Sequence, residues 1–218
     1  MKQLTKKIRI RTTITLITGL HIGGSKDNVE IGGIDIPVIK LASKGNQPYI
    51  PGSSLKGKMR CLLEQVAGSP EIGLNSEVNN LFGITENGNK NDSGTLPSKL
   101  IVRDAMLTEE SVKQLIECES LDMPYTENKF ENTIDRVQGV ANNLRQIERV
   151  PAGAVFNAEF IINIWDDDNE QEMLDLFNKG MSLIENDYIG GSGSRGYGQI
   201  KFGEMYWDEL SEANNWKA

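Results

Sequence analysis

Val155-Phe156-Asn157-Ala158-Glu159-Phe160-Ile161-Ile162-Asn163-Ile164-Trp165 opens the C-terminal third of the chain, and its reading decides the fold. β-Branched and aromatic residues fill the stretch, which predicts a strand. From Asn169 to Glu185 the apolar residues Met173, Leu174, Leu176, Phe177, Met181 and Ile184 recur at helical spacing, so an amphipathic helix is expected. Tyr188-Ile189-Gly190-Gly191-Ser192-Gly193-Ser194-Arg195-Gly196-Tyr197-Gly198 then holds five glycines in eleven residues and reads as a loop. A last strand is expected from Gln199 to Trp207. Strand, helix, glycine loop and strand make half of an α+β sandwich.

The N-terminal half supplies the complement. Lys7 to Thr18 alternates Ile with charged residues and is rich in β-branched side chains, as a half-buried strand would be. A long loop with Gly and Asn follows from Gly19 to Ile34, and Asp35 to Ile39 is a short apolar piece broken by Pro37. Ser53 is placed to cap a helix over Ser54–Ala67, with Leu55, Met59, Leu62, Leu63 and Val66 on one side. A short helix is expected over Ser76–Phe82, closed by Gly83. Thr85 to Ser98 is polar and reads as a mobile loop, and Lys99 to Leu107 reads as one strand. Thr108-Glu109-Glu110-Ser111 has the cap and acids of a helix start. Tyr125 to Pro151 shows no clear period. The order β-loop-α-β-α-insertion-β-α-β suits an α+β fold with ferredoxin-like elements and long insertions.

The glycine loop lets a backbone approach a ligand closely, because no Cβ intervenes. Its N–H groups, one guanidinium and two Tyr rings suit a phosphodiester backbone with unstacked bases. Ile50-Pro51-Gly52-Ser53-Ser54-Leu55-Lys56-Gly57-Lys58-Met59-Arg60 is a second loop of similar character, and the pair points to a polyanion. Lys56 and Arg60, four apart, share a helical face and reach one polyanion, while Lys58 falls on another side.

Both loops imitate better-known motifs. Gly191-x-Gly193-x-x-Gly196 fits the dinucleotide fingerprint, but it follows a helix and too few residues come after it for a βαβ unit. Gly52-x4-Gly57-Lys58 resembles a phosphate-binding P-loop, yet Met59 replaces the hydroxyl that would ligate magnesium. Neither nucleotide reading holds.

The chain has 218 residues and a net charge of −8, unevenly spread. Residues 1–60 carry eleven Lys and Arg against Asp27, Glu30 and Asp35, a balance of +8, so the other 158 residues carry −16. Such a segment builds a basic surface on an acidic protein. Cys61 and Cys118 are isolated and His21 is the only histidine, which argues against a zinc site and a histidine nucleophile or base. No apolar run approaches the roughly 20 residues of a membrane helix. A cytoplasmic protein with no signal peptide is expected.

Taken together, His21-Ile22-Gly23-Gly24, Ile50–Gly57, Leu81-Phe82-Gly83 and Gly190–Gly198 resemble the signatures of the RAMP superfamily of CRISPR proteins. Gly32–Lys40 and Lys129–Arg136 are similar, more narrowly, to the repeated backbone subunit of type III-A (Csm) effector complexes. The resemblance runs from about Thr18 to Phe202, with its blocks in the family order.

The resemblance implies one RAMP domain: a ferredoxin-like (RRM-like) core over about 5–118 and 150–207, and a thumb-like insertion over about 120–149. It implies copies stacked on a guide CRISPR RNA, other Csm subunits as neighbours, and no membrane. Target single-stranded RNA would be cut at regular intervals with a divalent metal, Mg2+ or Mn2+. The catalytic and metal-binding role falls on Asp35. His21, Lys56, Arg60, Arg136, Gly190, Gly191, Ser192, Gly193, Ser194, Arg195, Gly196 and Tyr197 would contact RNA.

From the residues alone, Asp35 among cations is either a salt-bridge partner or catalytic, and His21 either closes a turn or contacts RNA. Glu127, Glu131 and Asp135 read as fold-setting, and Asp104 as an ion pair or a subunit contact. Two other readings fit the same residues: a structural filament subunit without catalysis, and a stand-alone RAMP nuclease that processes precursor CRISPR RNA.

Overall fold

The computed structural model describes residues 2–24, 36–69, 71, 73–84, 95–121 and 123–211. In chain order the elements are β1 (Leu4–Leu16), β2 (Lys40–Leu41), β3 (Gln47–Ile50), α1 (Gly52–Val66), α2 (Ser76–Phe82), β4 (Leu100–Val102), β5 (Ala105–Leu107), α3 (Glu109–Glu117), β6 (Glu127–Ile134), β7 (Ala141–Arg149), β8 (Val155–Trp165), α4 (Glu170–Glu185), β9 (Ile200–Phe202) and β10 (Tyr206–Ser211).

The large sheet runs β10-β1-β8-β5-β3-β2, with β4 also on β8 and β9 also on β1. Every ladder in it is antiparallel. Reduced to β1, α1, β4/β5, β8, α4 and β9/β10, the chain is β-α-β-β-α-β with first and third strands adjacent at the centre. That is the ferredoxin-like core expected of the sequence. β1 and β8 pair along most of their length, Ile8 opposite Ile162 and Ile10 opposite Phe160. The period of two sends Ile8, Ile10, Ile14 and Leu16 into the core and turns Lys7, Arg9 and Arg11 to the other face.

α1 and α4 cover the apolar face of this sheet. Gly180 of α4 lies against α1, where a Cβ would come within 2.5 Å of Met59 Cγ. Phe177 on α4 meets Phe160 of β8 edge to face at 5.2 Å between ring centroids. Thr108 and Asn169 accept backbone N–H groups at the starts of α3 and α4, and Gly83 closes α2 with φ of 78°.

Three local expectations change. Ser53 does not cap α1; the helix begins at Gly52 after Pro51, and Gly52 N–H donates to Asp104 Oδ1 at 2.8 Å. Asp104 is thus the missing cap, reached through the tertiary fold. It is available because the strand expected over Lys99–Leu107 breaks into β4 and β5 at Arg103-Asp104. The final strand likewise breaks into β9 and β10 around Gly203.

The segment without a clear period is an antiparallel hairpin, β6 against β7, forming its own two-stranded sheet. Phe130, Ile134, Val137, Val140 and Leu144 on it are exposed, so no single apolar face imposes a pattern. The loop expected over Thr85–Ser98 lies outside the described residues for 85–94; Leu96 bridges back to Ile84.

Candidate nucleic-acid interface

Four pieces of chain converge at the foot of the hairpin. Gly191 N–H donates to the His21 carbonyl at 2.8 Å and Gly198 N–H to the Gly19 carbonyl at 3.0 Å, laying the glycine loop along the end of β1. Gly190 has φ of 75°, and a Cβ there would overlap the His21 carbonyl oxygen. His21 is buried, with Nδ1 2.7 Å from the Glu148 carbonyl on β7. This bond ties the chain after β1 to the hairpin, 127 residues away, and does not close a local turn.

Ile36 to Lys40 forms a strap across this junction. Glu148 N–H donates to the Ile36 carbonyl at 3.2 Å, Gly24 N–H to Pro37 at 3.0 Å, and Ile39 N–H to Ile22 at 2.8 Å. The Glu148 carboxylate accepts from Val38 N–H at 2.9 Å and from Thr126 Oγ1 at 2.7 Å, and pairs with Lys40 Nζ at 2.5 Å. A buried carboxylate with this many donors fixes the strap to the hairpin. Asp35, the residue before Ile36, lies outside the described residues.

Tyr197 joins the glycine loop to β6. Its ring is buried, its hydroxyl donates to Glu131 Oε1 at 2.8 Å, and Lys129 Nζ lies 4.2 Å and Arg149 Cζ 5.3 Å from the ring centroid. Burial, reinforced by the Glu131 hydrogen bond and charge, pushes the phenol up to about 12. Arg195, in a short 3-10 turn over Gly193–Arg195, pairs with Glu131 Oε2 at 3.4 Å. Burial opposes ionisation of Glu131, but the Tyr197 hydroxyl, Arg195 and Lys129 hold its carboxyl below the usual value. Arg149 in turn pairs with Glu127 at 2.6 Å. Ser192 has φ of 61° and accepts from Arg195 Nη2 at 3.1 Å; Ser194 and Gly196 are exposed beside it.

Lys56 and Arg60 lie elsewhere on α1. Lys56 Nζ donates to Ser98 Oγ at 2.6 Å and to the Leu100 carbonyl at 2.8 Å, and desolvation, then the nearby Arg60 charge, lower its proton affinity. Arg60 reaches Glu64, the Gly83 carbonyl and Asn79 at 2.8, 3.0 and 3.1 Å. Both therefore brace α1 against β4 and α2. Lys58 makes the link to the glycine loop instead, with Nζ 3.9 Å from the Tyr188 ring centroid and 2.9 Å from Asp187. Arg136 is exposed in the hairpin turn, where Asp135 Oδ1 accepts the Val137 and Gln138 N–H groups.

The junction thus brings together His21, Gly190, Gly191, Arg195 and Tyr197. Lys58, Lys129, Arg149 and Glu148 also belong to it. Lys129 and the Arg136 turn fall in the block that resembled the family, whereas Lys58 gives no such signal because its ring partner is distant in sequence. Among the described residues no group of three or more His, Cys, Asp or Glu side chains is placed to hold a metal.

The chain as a whole has relatives among known proteins. The profile described as the RAMP superfamily matches residues 13–201. The CRISPR system Cms endoribonuclease Csm3 of Methanocaldococcus jannaschii is 41% identical over 93% of this chain and 81% of its own length. This chain belongs to the Csm3 family of the RAMP superfamily.

The Csm3 of Streptococcus thermophilus is 45% identical over 91% of this chain and 88% of its own, and that of Mycobacterium tuberculosis is 36% identical over 91% and 87%. A crystal structure of the Csm3-Csm4 subcomplex in the type III-A CRISPR-Cas interference complex matches 98% of this chain and 84% of that one, at 31% identity and a TM-score of 0.62. A cryo-EM structure of the type III-B Cmr-beta bound to cognate target RNA matches at 17% identity and a TM-score of 0.62, and shares the fold. The Csm3 fold accounts for the core here, and no helix among the described residues is long and apolar enough to cross a membrane.

Proposed function

We propose that this chain is a backbone subunit of a type III-A CRISPR complex: it binds guide RNA, stacks with further copies and with other Csm subunits, and cuts the guide-paired target RNA. The observation that carries this reading is the junction itself. The strap that begins immediately after Asp35 in sequence is tied by Glu148 and Ile22 to the hairpin and to His21, against the glycine loop. A guide held on that loop is held beside the chain that leads to the catalytic candidate.

The guide is gripped through phosphates and shape, with sequence left to base pairing, so binding weakens steeply with salt and ignores guide sequence. The hairpin, with Arg136 at its turn, serves as the thumb between guide and target. Asp35 is the catalytic carboxylate and the protein's contribution to a Mg2+ or Mn2+ site. Such hard cations take oxygen ligands, so phosphate and water oxygens would complete the shell. When bound, the ion supplies charge relief at the scissile phosphate. The chain aligns the target 2′-hydroxyl with the adjacent phosphorus. The 2′-oxygen–phosphorus bond forms as the phosphorus–5′-oxygen bond breaks. The 2′-hydroxyl proton passes to solvent and the 5′-oxygen takes one up, leaving a cyclic phosphate and a 5′-hydroxyl.

The test is cleavage of end-labelled complementary RNA by the assembled complex with Mg2+, with Mn2+ and with a chelator. Regularly spaced products that vanish with chelator and carry cyclic phosphate ends are expected. Metal-independent products would point to a stand-alone type of acid–base nuclease.

A further inference from the structure

Glu131 stands where the hairpin meets the glycine loop. Its carboxylate is met by the Tyr197 hydroxyl at 2.8 Å, by Lys129 Nζ at 3.5 Å and by Arg195 Nη1 at 3.4 Å. The Glu131 side chain is 16% exposed, while that of Arg195 is 60% exposed and reachable from solvent. Two cations and a hydroxyl converge on two oxygens that share one negative charge. A phosphodiester presents the same pair of oxygens with the same charge, and guanidinium, ammonium and phenol all bind it.

We propose that Glu131 is an internal stand-in for a guide-RNA phosphate: its carboxylate holds Arg195 and Lys129 in place in the free protein and yields them to a phosphodiester when RNA binds. The inference rests on the reading of the glycine loop as an RNA contact.

Replacing one anion by another at the same cations changes little net charge. Glu131 therefore keeps the cations aligned but competes for them, and it lowers the number of counterions that RNA binding releases. Each phosphate neutralised on a single strand adds about 0.7 to the slope of log K against log salt. With the carboxylate present that increment is suppressed. Without the charge, Arg195 and Lys129 carry counterions of their own and release them.

The experiment measures binding of a fluorescently labelled, mixed-sequence single-stranded RNA to the full chain over a salt series. Glu131→Gln keeps an oxygen acceptor for the Tyr197 hydroxyl and loses only the charge; Glu131→Thr, suited to a strand, is a second neutral variant. Both are expected to bind several-fold more tightly at low salt, with a slope steeper by roughly 0.7. The gain is expected to disappear when Arg195→Ala is added. Weaker binding at an unchanged slope in both neutral variants, matching Tyr197→Phe, would overturn the proposal and leave Glu131 a brace. If Arg195→Ala alone also left binding unchanged, the RNA reading of the loop would fall, and the proposal with it.

Discussion

The wholly buried Glu148 carboxylate accepts the Val38 backbone N–H at 2.9 Å, fastening the strap that follows Asp35 to the foot of the hairpin. Removing that carboxylate leaves the Val38 N–H, Thr126 hydroxyl and Lys40 ammonium without their shared partner. Glu148→Ala is expected to cost about 3 kcal/mol, the low end for breaking a buried pair. For a chain of this size that lowers Tm by roughly 6–12 °C. Calorimetry decides it, and an unchanged Tm would show that the strap is held by its backbone bonds alone.

Two glycines of the loop separate strain from collision. Gly190 and Gly196 both have positive φ, 75° and 85°, but a Cβ on Gly190 would strike the His21 carbonyl while one on Gly196 meets nothing within 4 Å. Gly196→Ala should cost only the left-handed strain of about 1 kcal/mol. Gly190→Ala must push the loop off His21, and RNA affinity is expected to fall roughly tenfold or more, the equivalent of 1.4 kcal/mol or above. Equal losses in the two variants would refute the close approach.

Tyr197 gives the protein a signature in alkali. Its phenol is raised from 10.0 to about 12 in the fold, so the native state holds the proton more tightly than the unfolded chain. That contribution is complete below pH 10 and is lost as pH rises through the folded value near 12. Denaturant titrations should show wild type losing stability more steeply over this window than Tyr197→Phe. Parallel curves would mean the phenol is solvated.

Lys56 and Arg195 should fail differently. Lys56 satisfies the Leu100 carbonyl and Ser98 from a half-buried position, so Lys56→Ala is expected to cost about 1–3 kcal/mol of stability. The ion pair of solvent-exposed Arg195 with Glu131 is long, at 3.4 Å, and worth about 1 kcal/mol or less, so Arg195→Ala should barely move Tm. Its effect should appear in RNA affinity and in the salt slope. Paired melting and binding curves on both variants check the distinction.

The core was legible because β1 and α4 each bury one face, which writes a period of two or of about three and a half into the sequence, while β8, buried on both faces at Phe160-Ile161-Ile162, shows itself by its β-branched and aromatic content. The hairpin was not, because Phe130, Ile134 and Leu144 face solvent and no buried side enforces alternation. Asp104 as the cap of α1 could not be read either, since the donor and acceptor lie 52 residues apart. At the site, the glycine loop and His21 were visible as chemistry. The sequence spacing that put Lys56 and Arg60 on one face was correct, but their partners on β4 and α2 come from tertiary packing. Lys58 reaches Tyr188 for the same reason.

The most direct measurement is target cleavage by the assembled complex carrying either the native chain or Asp35→Ala, with guide and target binding measured on the same preparations. Regularly spaced cuts are expected with the native chain, their complete loss with Asp35→Ala, and binding unchanged in both. Undiminished cutting by the Asp35→Ala complex would contradict this expectation and reduce this chain to a scaffold for RNA.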